Sequence, residues 1–209
     1  LLDAGADASA RDKNGKSAAG YIDEERQYRR DPLRDTDLYR RLEEAATTHD
    51  VEAENNWVHH AAPAFSGGDG SEGSPYRIAS AGELARLAYI VNEGLSDVDG
   101  EKFGKKHYAL TADVDLGAHK WTPIGYTGHY RRSARSEAFA GRFDGGGHTV
   151  SNLRIESGSS SVGFFGSISG GGSATPALVV GIRLASVDVG GKNANIGGLA
   201  GFVSNAEIR

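Results

Sequence analysis

Apolar and polar positions alternate strictly in Tyr108-Ala-Leu-Thr-Ala-Asp-Val-Asp-Leu116. Tyr108, Leu110, Ala112, Val114 and Leu116 share one side, and His107, Ala109, Thr111, Asp113 and Asp115 the other. A period of two predicts a β-strand with one buried face. A different period precedes it. Leu84, Leu87, Ala88 and Val91 fall at i, i+3, i+4 and i+7, which gathers them on one face of an α-helix. Ser80-Ala-Gly-Glu83 is a capping-box start and Asn92-Glu-Gly94 a stop, so a helix is predicted over 80–93. Nearer the start, Asp31-Pro32 opens another helix, which Leu38, Leu42 and Ala45 carry to about Thr47.

Beyond Phe139 the apolar runs are short, and each is bounded by Gly, Ser or Asn. They are Val150/Leu153/Ile155, Val162/Phe164/Phe165/Ile168, Val179 to Val189, and Ile196/Leu199/Phe202/Val203. Two glycine motifs punctuate them. Gly163-Phe-Phe-Gly166 is followed by Gly198-Leu-Ala-Gly201, a step of 35 residues. Val150-Ser-Asn-Leu-Arg-Ile155 and Val180-Gly-Ile-Arg-Leu184 are expected at equivalent places in the repeat. A short strand cannot bury its apolar face alone, whereas stacked repeats put like residues above one another. The glycines are expected to take positive φ at the corners. Residues 107–209 are therefore expected to form stacked coils, with the 80–93 helix shielding one end.

Composition adds a boundary. Of the 30 glycines, only Gly5, Gly15 and Gly20 precede residue 61. Residues 1–60 carry 9 Lys/Arg against 14 Asp/Glu, while 61–209 carry 14 of each. Two compositions imply two modules, 1–60 and 61–209. The absence of a strongly basic patch disfavours nucleic acid as a partner. No apolar run approaches the roughly 20 residues of a membrane-spanning helix. With no cysteine, neither a disulfide framework nor a thiolate metal site is possible. The chain starts at Leu1 and has no methionine, which reads as an internal fragment.

Candidate chemistry is sparse. Asp113 and Asp115 would sit about 7 Å apart on one strand face, a spacing open to acid/base work on a glycoside or to a merely exposed polar face. Asp144 is a third candidate carboxylate. Tyr126, Tyr130, Arg131, Arg132 and Arg135 make the most basic and aromatic stretch, an insertion loop and the candidate contact surface. His49, His59 and His60 lie near Asp50, Glu52 and Glu54, but the adjacent His59-His60 cannot share one face, and no metal is expected. Trp57 is the packing anchor of that linker. Gly145-Gly-Gly147 lacks the Lys-Ser/Thr of a phosphate loop, so no cofactor is expected either. The segment 65–75 is read as a flexible turn-rich loop rather than a calcium repeat.

Two resemblances sharpen this picture. Leu1-Leu-Asp-Ala-Gly-Ala-Asp7 through Asn14-Gly15 to Ile22 resembles the junction between two ankyrin repeats, with Ser17-Ala-Ala19 in place of the usual Thr-Pro-Leu. Gly198-Leu-Ala-Gly201 resembles the core of the GLUG repeat, and Gly163-Phe-Phe-Gly166 is similar with Phe165 for the usual Leu. Trp121-Thr-Pro-Ile-Gly125 and Phe139-Ala-Gly-Arg-Phe-Asp-Gly-Gly-Gly-His-Thr-Val150 agree with its lead-in. The basic insertion at 126–136 and the loop Gly170–Pro176 depart from it. Such repeats occur in bacterial surface and secreted proteins and beside immunoglobulin-A1-specific metallopeptidase domains. The resemblance implies a right-handed parallel β-helix at the cell surface or outside the cell, built on Gly163, Phe165, Gly166, Gly198, Leu199 and Gly201. The peptidases' His-Glu-x-x-His is absent, so any peptidase activity would lie outside this chain. The expected function is non-catalytic: a structural, adhesive or protein-interaction piece of a large surface protein. Two alternatives stand beside it. One is a polysaccharide-acting enzyme using Asp113, Asp115 or Asp144; the other is an ankyrin protein-binding module on a β-helix spacer. Whether the partner is a protein or a glycan is not legible.

Overall fold

The computed structural model describes residues 55–125, 138–157, 161–170, 176–191 and 195–209. The ankyrin-like stretch, and the contact loop with Tyr126, Tyr130, Arg131, Arg132 and Arg135, lie outside the described residues. The described elements belong to the unit Asn56–Arg209.

The unit is mainly β, and its strands pair in parallel. In chain order they are β1 (Tyr76–Ile78), β2 (His107–Leu110), β3 (Val114–Asp115), β4 (Arg142–Asp144), β5 (Thr149–Ser151), β6 (Arg154–Ser157) and β7 (Ser161–Val162). Beyond them lie β8 (Phe165–Ser169), β9 (Ala177–Val180), β10 (Arg183–Ala185), β11 (Asp188–Gly191), β12 (Asn195–Ile196), β13 (Ala200–Ser204) and β14 (Ala206–Ile208). One helix, α1 (Ala81–Asn92), lies between β1 and β2. The longest sheet has the order β1-β2-β4-β9-β14, and β10-β5-β3, β11-β6, β12-β7 and β13-β8 form four smaller ones.

Most partners sit one tier apart in sequence. His107 pairs with Arg142, Arg142 with Leu178, Val150 with Leu184 and Phe202 with Ser167. Each step is 34 to 36 residues, the interval between the glycine motifs. Pairing in register puts like residues above one another. Tyr76, Tyr108, Phe143, Val179 and Ile208 form one such ladder across the longest sheet. Val114, Val150 and Leu184 form a second, and Val162 and Ile196 a third. Tyr108, Phe143, Val150, Val162, Phe164, Phe165, Ile168 and Val179 are all buried. Each such side chain removed from water contributes roughly 1.5–3 kcal/mol. Rings fill the centre: Trp121 stacks on Phe164 at 5.4 Å and 8°, and Phe164 meets Phe165 edge-on at 5.1 Å.

The helix forms where its pattern places it. The Ser80 hydroxyl accepts from the Glu83 N–H at 3.3 Å, and Glu83 Oε2 reaches back to accept from the Ala79 N–H at 2.7 Å. The return bond thus goes one residue further than the simple capping box. At the other end Leu95 N–H donates to the Ile90 carbonyl and Gly94 N–H to that of Val91, with Gly94 at φ 61°, a Schellman stop. Leu84, Leu87, Ile90 and Val91 are buried and join the same core. The outer edge of β1 is occupied as well. Arg77 N–H donates to the Gly67 carbonyl at 2.8 Å, and Ser66 N–H to that of Arg77 at 3.2 Å.

Three expectations are corrected. The strand expected over 108–116 is two strands in two sheets, because the chain turns a corner between Leu110 and Val114. The alternation survives the corner: Tyr108, Leu110, Val114 and Leu116 are all buried. Second, the partner of Val150 is Leu184, and Val180 lies beside Asp144, so Val150–Ile155 stacks on Leu184–Val189 rather than on 180–184. Third, the motif glycines do not take positive φ. Gly163 and Gly201 are needed for close approach. A Cβ on Gly163 would lie 2.6 Å from the Gly197 carbonyl oxygen in the next tier, and one on Gly201 would meet the Val162 amide in the tier before. Positive φ at corners falls on other glycines, Gly146 and Gly147 between β4 and β5 and Gly181 between β9 and β10, and also on Asn152 and Ser186, at equivalent corners of successive tiers, and on Asn205.

Candidate functional site

The motif residues come together as expected from the 35-residue step. Phe164 N–H donates to the Gly198 carbonyl at 3.0 Å and Phe165 N–H to that of Leu199 at 2.8 Å, while Gly166 N–H donates to Ile124 in the preceding tier at 2.7 Å. Trp121 Nε1 donates to the Phe164 carbonyl at 3.0 Å. Gly163, Phe165, Gly166, Gly198, Leu199 and Gly201 thus belong to the tier-to-tier seam.

The candidate carboxylates each accept backbone hydrogen bonds of their own, Asp115 and Asp144 within a turn and Asp113 across tiers. Asp113 Oδ1 accepts from the Thr149 N–H at 2.8 Å and lies 3.3 Å from His148 Nδ1. That backbone N–H, and then His148, hold its carboxyl below the usual range. Asp115 Oδ1 accepts from Asn152 Nδ2 at 2.9 Å and from the Gly117 N–H at 2.8 Å, which lowers it likewise. Asp144 Oδ1 accepts from the Gly146 N–H at 2.9 Å, and its other oxygen lies 3.3 Å from Arg142. Asp113 and Asp115, stabilised as anions in this way, are poorly suited to deliver a proton.

Beside the Asn152 corner runs an open surface groove of about 400 Å³, lined by Gly117, Asn152, Leu153, Arg154, Ser186 and Asp188. It crosses three successive tiers, because Asp188 pairs with Arg154 and Asn152 N–H donates to the Ala185 carbonyl. Asn152 and Ser186 project into it from left-handed backbone at φ 55° and 52°. The groove offers amide, hydroxyl, guanidinium and carboxylate groups in a row.

The partners in two clusters were not legible in the sequence. In Asp97-Val-Asp-Gly-Glu101 the Asp97 Oδ1 accepts from the Asp99 and Glu101 amides at 3.0 and 2.9 Å. Lys106 Nζ then bridges Asp97 and Glu101 at 2.6 and 2.5 Å. The contact with Lys106 lowers the Asp97 carboxyl, and the two carboxylates raise the Lys106 ammonium. The second cluster fastens the segment before β1. Trp57 N–H donates to the Lys120 carbonyl and its Nε1 to the Leu116 carbonyl, both at 3.0 Å. His60 stacks on His119 at 3.8 Å, and Trp57 meets His119 edge-on at 5.0 Å. Trp57 is therefore a packing anchor. The signal for its partner, His119, was the lone polar aromatic before Trp121, which carries no pattern of its own. No group of three or more His, Asp or Glu suited to a metal ion occurs among the described residues. Nor is any helix there long and apolar enough to cross a membrane.

The described residues define a mainly β protein whose strands pair in parallel. The similarity found is to Halomucin of Haloquadratum walsbyi, 35% identical over 147 residues, which cover 68% of this chain. The chain spans about 1% of the length of Halomucin. No family model matches, and no solved structure matches.

Proposed function

We propose that this chain is a non-catalytic structural and interaction piece of a large surface or secreted protein. Its scaffold is a right-handed parallel β-helix of the GLUG type, capped by α1 and preceded by an ankyrin-like segment. The observation that carries the reading is the row of parallel pairings at 34 to 36 residues, which makes each tier a copy of the last. Repeats of that kind build length and lateral surface instead of one enclosed site. Similarity to a protein named as a mucin, of which this chain matches about 1%, supports placement in a very long surface molecule. We assign no catalytic step to Asp113, Asp115 or Asp144, since Asp115 and Asp144 each accept from a backbone N–H of their own turn and Asp113 from that of Thr149 in the next tier. The groove beside Asn152 and the loop 126–136 are the surfaces on which a protein or glycan would be held.

Protease treatment of intact cells making the native protein tests the location. Peptides from 56–209 should be released while cytosolic markers stay protected; release only after lysis would refute a surface position. Far-UV circular dichroism of the purified chain tests the scaffold, and a helix-dominated spectrum would sink it.

A further inference from the structure

Residues 56–62 fasten to α1 and to the segment 116–122, and two imidazoles meet in the fastening. Its other holds are few. Trp57 N–H donates to the Lys120 carbonyl at 3.0 Å, Ala62 N–H to that of Gly82 at 2.8 Å, and the Arg86 guanidinium to that of Ala62 at 3.2 Å. The Trp57 Nε1 bond to Leu116 and that from Thr122 Oγ1 to Asn56 Oδ1, at 2.8 Å, complete them. No residue from Trp57 to His60 is buried. A segment with so little apolar burial opens locally at far lower cost than the core. The rings of His60 and His119 lie 3.8 Å apart and 13° from parallel, with Trp57 edge-on to both. His119 Nδ1 is buried, with no hydrogen-bond partner among the described residues.

We propose that residues 56–62 form an acid-released clasp, shut while His60 and His119 are neutral and opened when they become cations. Neutral stacked rings attract, whereas two imidazolium rings at this distance repel. The cation also carries a hydrogen on both nitrogens, so charging His119 buries an Nδ1–H that has no acceptor. The surroundings do not offset the charge. On α1, Arg86 is itself a cation, and Glu83 is bonded to the Ala79 N–H and the Ser80 hydroxyl. On the segment that carries His119, Lys120 is paired with Glu156, and Asp115 is engaged by Asn152 and the Gly117 N–H. His59 adds a third imidazole on the clasp itself. No described carboxylate is bonded to His119, and burial, then His60, hold it below its ordinary 6.5. The neutral ring's contribution is complete above pH 6.5 and is lost as pH falls from there through the lowered value. Because the clasp follows directly on residues 1–55, its opening frees the chain that joins the two units.

Amide exchange of the full chain, corrected for the intrinsic effect of pH, tests it. Protection at Trp57 and Ala62 should fall about tenfold per pH unit below 6.5 until the lowered value is reached, while Tyr108 and Leu110 in β2 keep theirs. His119→Phe keeps a ring for His60 to stack on and should hold Trp57 and Ala62 protected at about pH 5. A second measurement covers a variant that fails to fold. In the unmodified chain, the ring protons of His119 should titrate with the same midpoint as the loss of protection at Trp57. Protection that survives acid in the unmodified chain overturns the proposal. So does equal loss at Tyr108 and Leu110, which marks unfolding of the whole unit. Opening that persists in His119→Phe, or a His119 midpoint apart from that of Trp57, assigns the effect to other groups and overturns it as well.

Discussion

Gly163 and Gly198 hold the same place in successive tiers, and alanine at the two should act in opposite directions. Their alignment comes from the Phe165–Ala200 pairing and the bond from Phe164 N–H to the Gly198 carbonyl. Neither has positive φ, so alanine strains neither backbone. The surroundings differ. A Cβ at Gly163 would stand 2.6 Å from the Gly197 oxygen, 2.9 Å from that of Phe165 and 3.0 Å from the Ala200 carbonyl carbon. All three are backbone atoms held in tier pairing, with no side chain able to swing away. A Cβ at Gly198 meets Val187 Cγ1 at 3.8 Å, an ordinary contact. Overpacking of the first kind costs about 1–3 kcal/mol, and a clash with fixed carbonyls belongs at the upper end. Replacing glycine by alanine also restricts the unfolded chain, which stabilises by about 0.5 kcal/mol at both sites. Gly163→Ala should therefore lose about 2.5 kcal/mol and Gly198→Ala gain about 0.5 kcal/mol. For a unit of this size, at about 2–4 °C per kcal/mol, the two melting temperatures should lie about 6–12 °C apart. Thermal unfolding followed by circular dichroism reads the difference directly. Equal melting temperatures would refute the stacking of tier on tier at this seam.

Three further outcomes rest on the packing and the charges. Phe164→Ala removes a fully buried ring from between Trp121, Phe143 and Phe165, at a cost of about 3–5 kcal/mol; a melting temperature within a few degrees of the unmodified chain would contradict the core described. Burial, and then His60, hold His119 below its ordinary 6.5, and its Nδ1 is buried without a partner among the described residues. The folded state thus disfavours the cation: this contribution is complete above pH 6.5 and is lost as pH falls through the lowered value, so His119→Phe should flatten the acid arm of melting temperature against pH between 6.5 and that value. Lys106→Met should raise the Asp97 carboxyl towards its ordinary value and speed amide exchange at Asp99 and Glu101, read by carbon-detected titration and hydrogen exchange; unchanged exchange would show that Asp97 orders the loop without the lysine.

Local signals carried furthest from sequence. Ser80, Glu83 and Gly94 act within one or two helical turns, so the span of α1 was readable to a residue or so. The 35-residue interval between Gly163 and Gly198 was also readable, because stacking in register forces like residues to recur. The corner between Leu110 and Val114 was not. Inward and outward positions keep alternating around such a corner, so Tyr108 to Leu116 looks like one straight strand although it belongs to two sheets. The register of Val150 on Leu184 was missed for a related reason. Apolar residues alternate at Val180, Ile182 and Leu184 and again at Val187 and Val189, and the pattern alone does not say which of them stacks. The chemistry of the carboxylates needed three dimensions: Asp113 meets Thr149 and His148, and Asp115 meets Asn152, across more than 30 residues of chain.

The direction of the hydrogen bonds has a mechanical consequence. Because successive tiers are tied by bonds running along the stack, tension applied between the α1 end and the β14 edge pulls on those bonds lengthwise. Rows would separate singly instead of shearing together. Each row released would free about 35 residues, roughly 120 Å of extended chain, so stretching should show even, repeated extensions of that size. A chain made of such units would yield by graded lengthening under load.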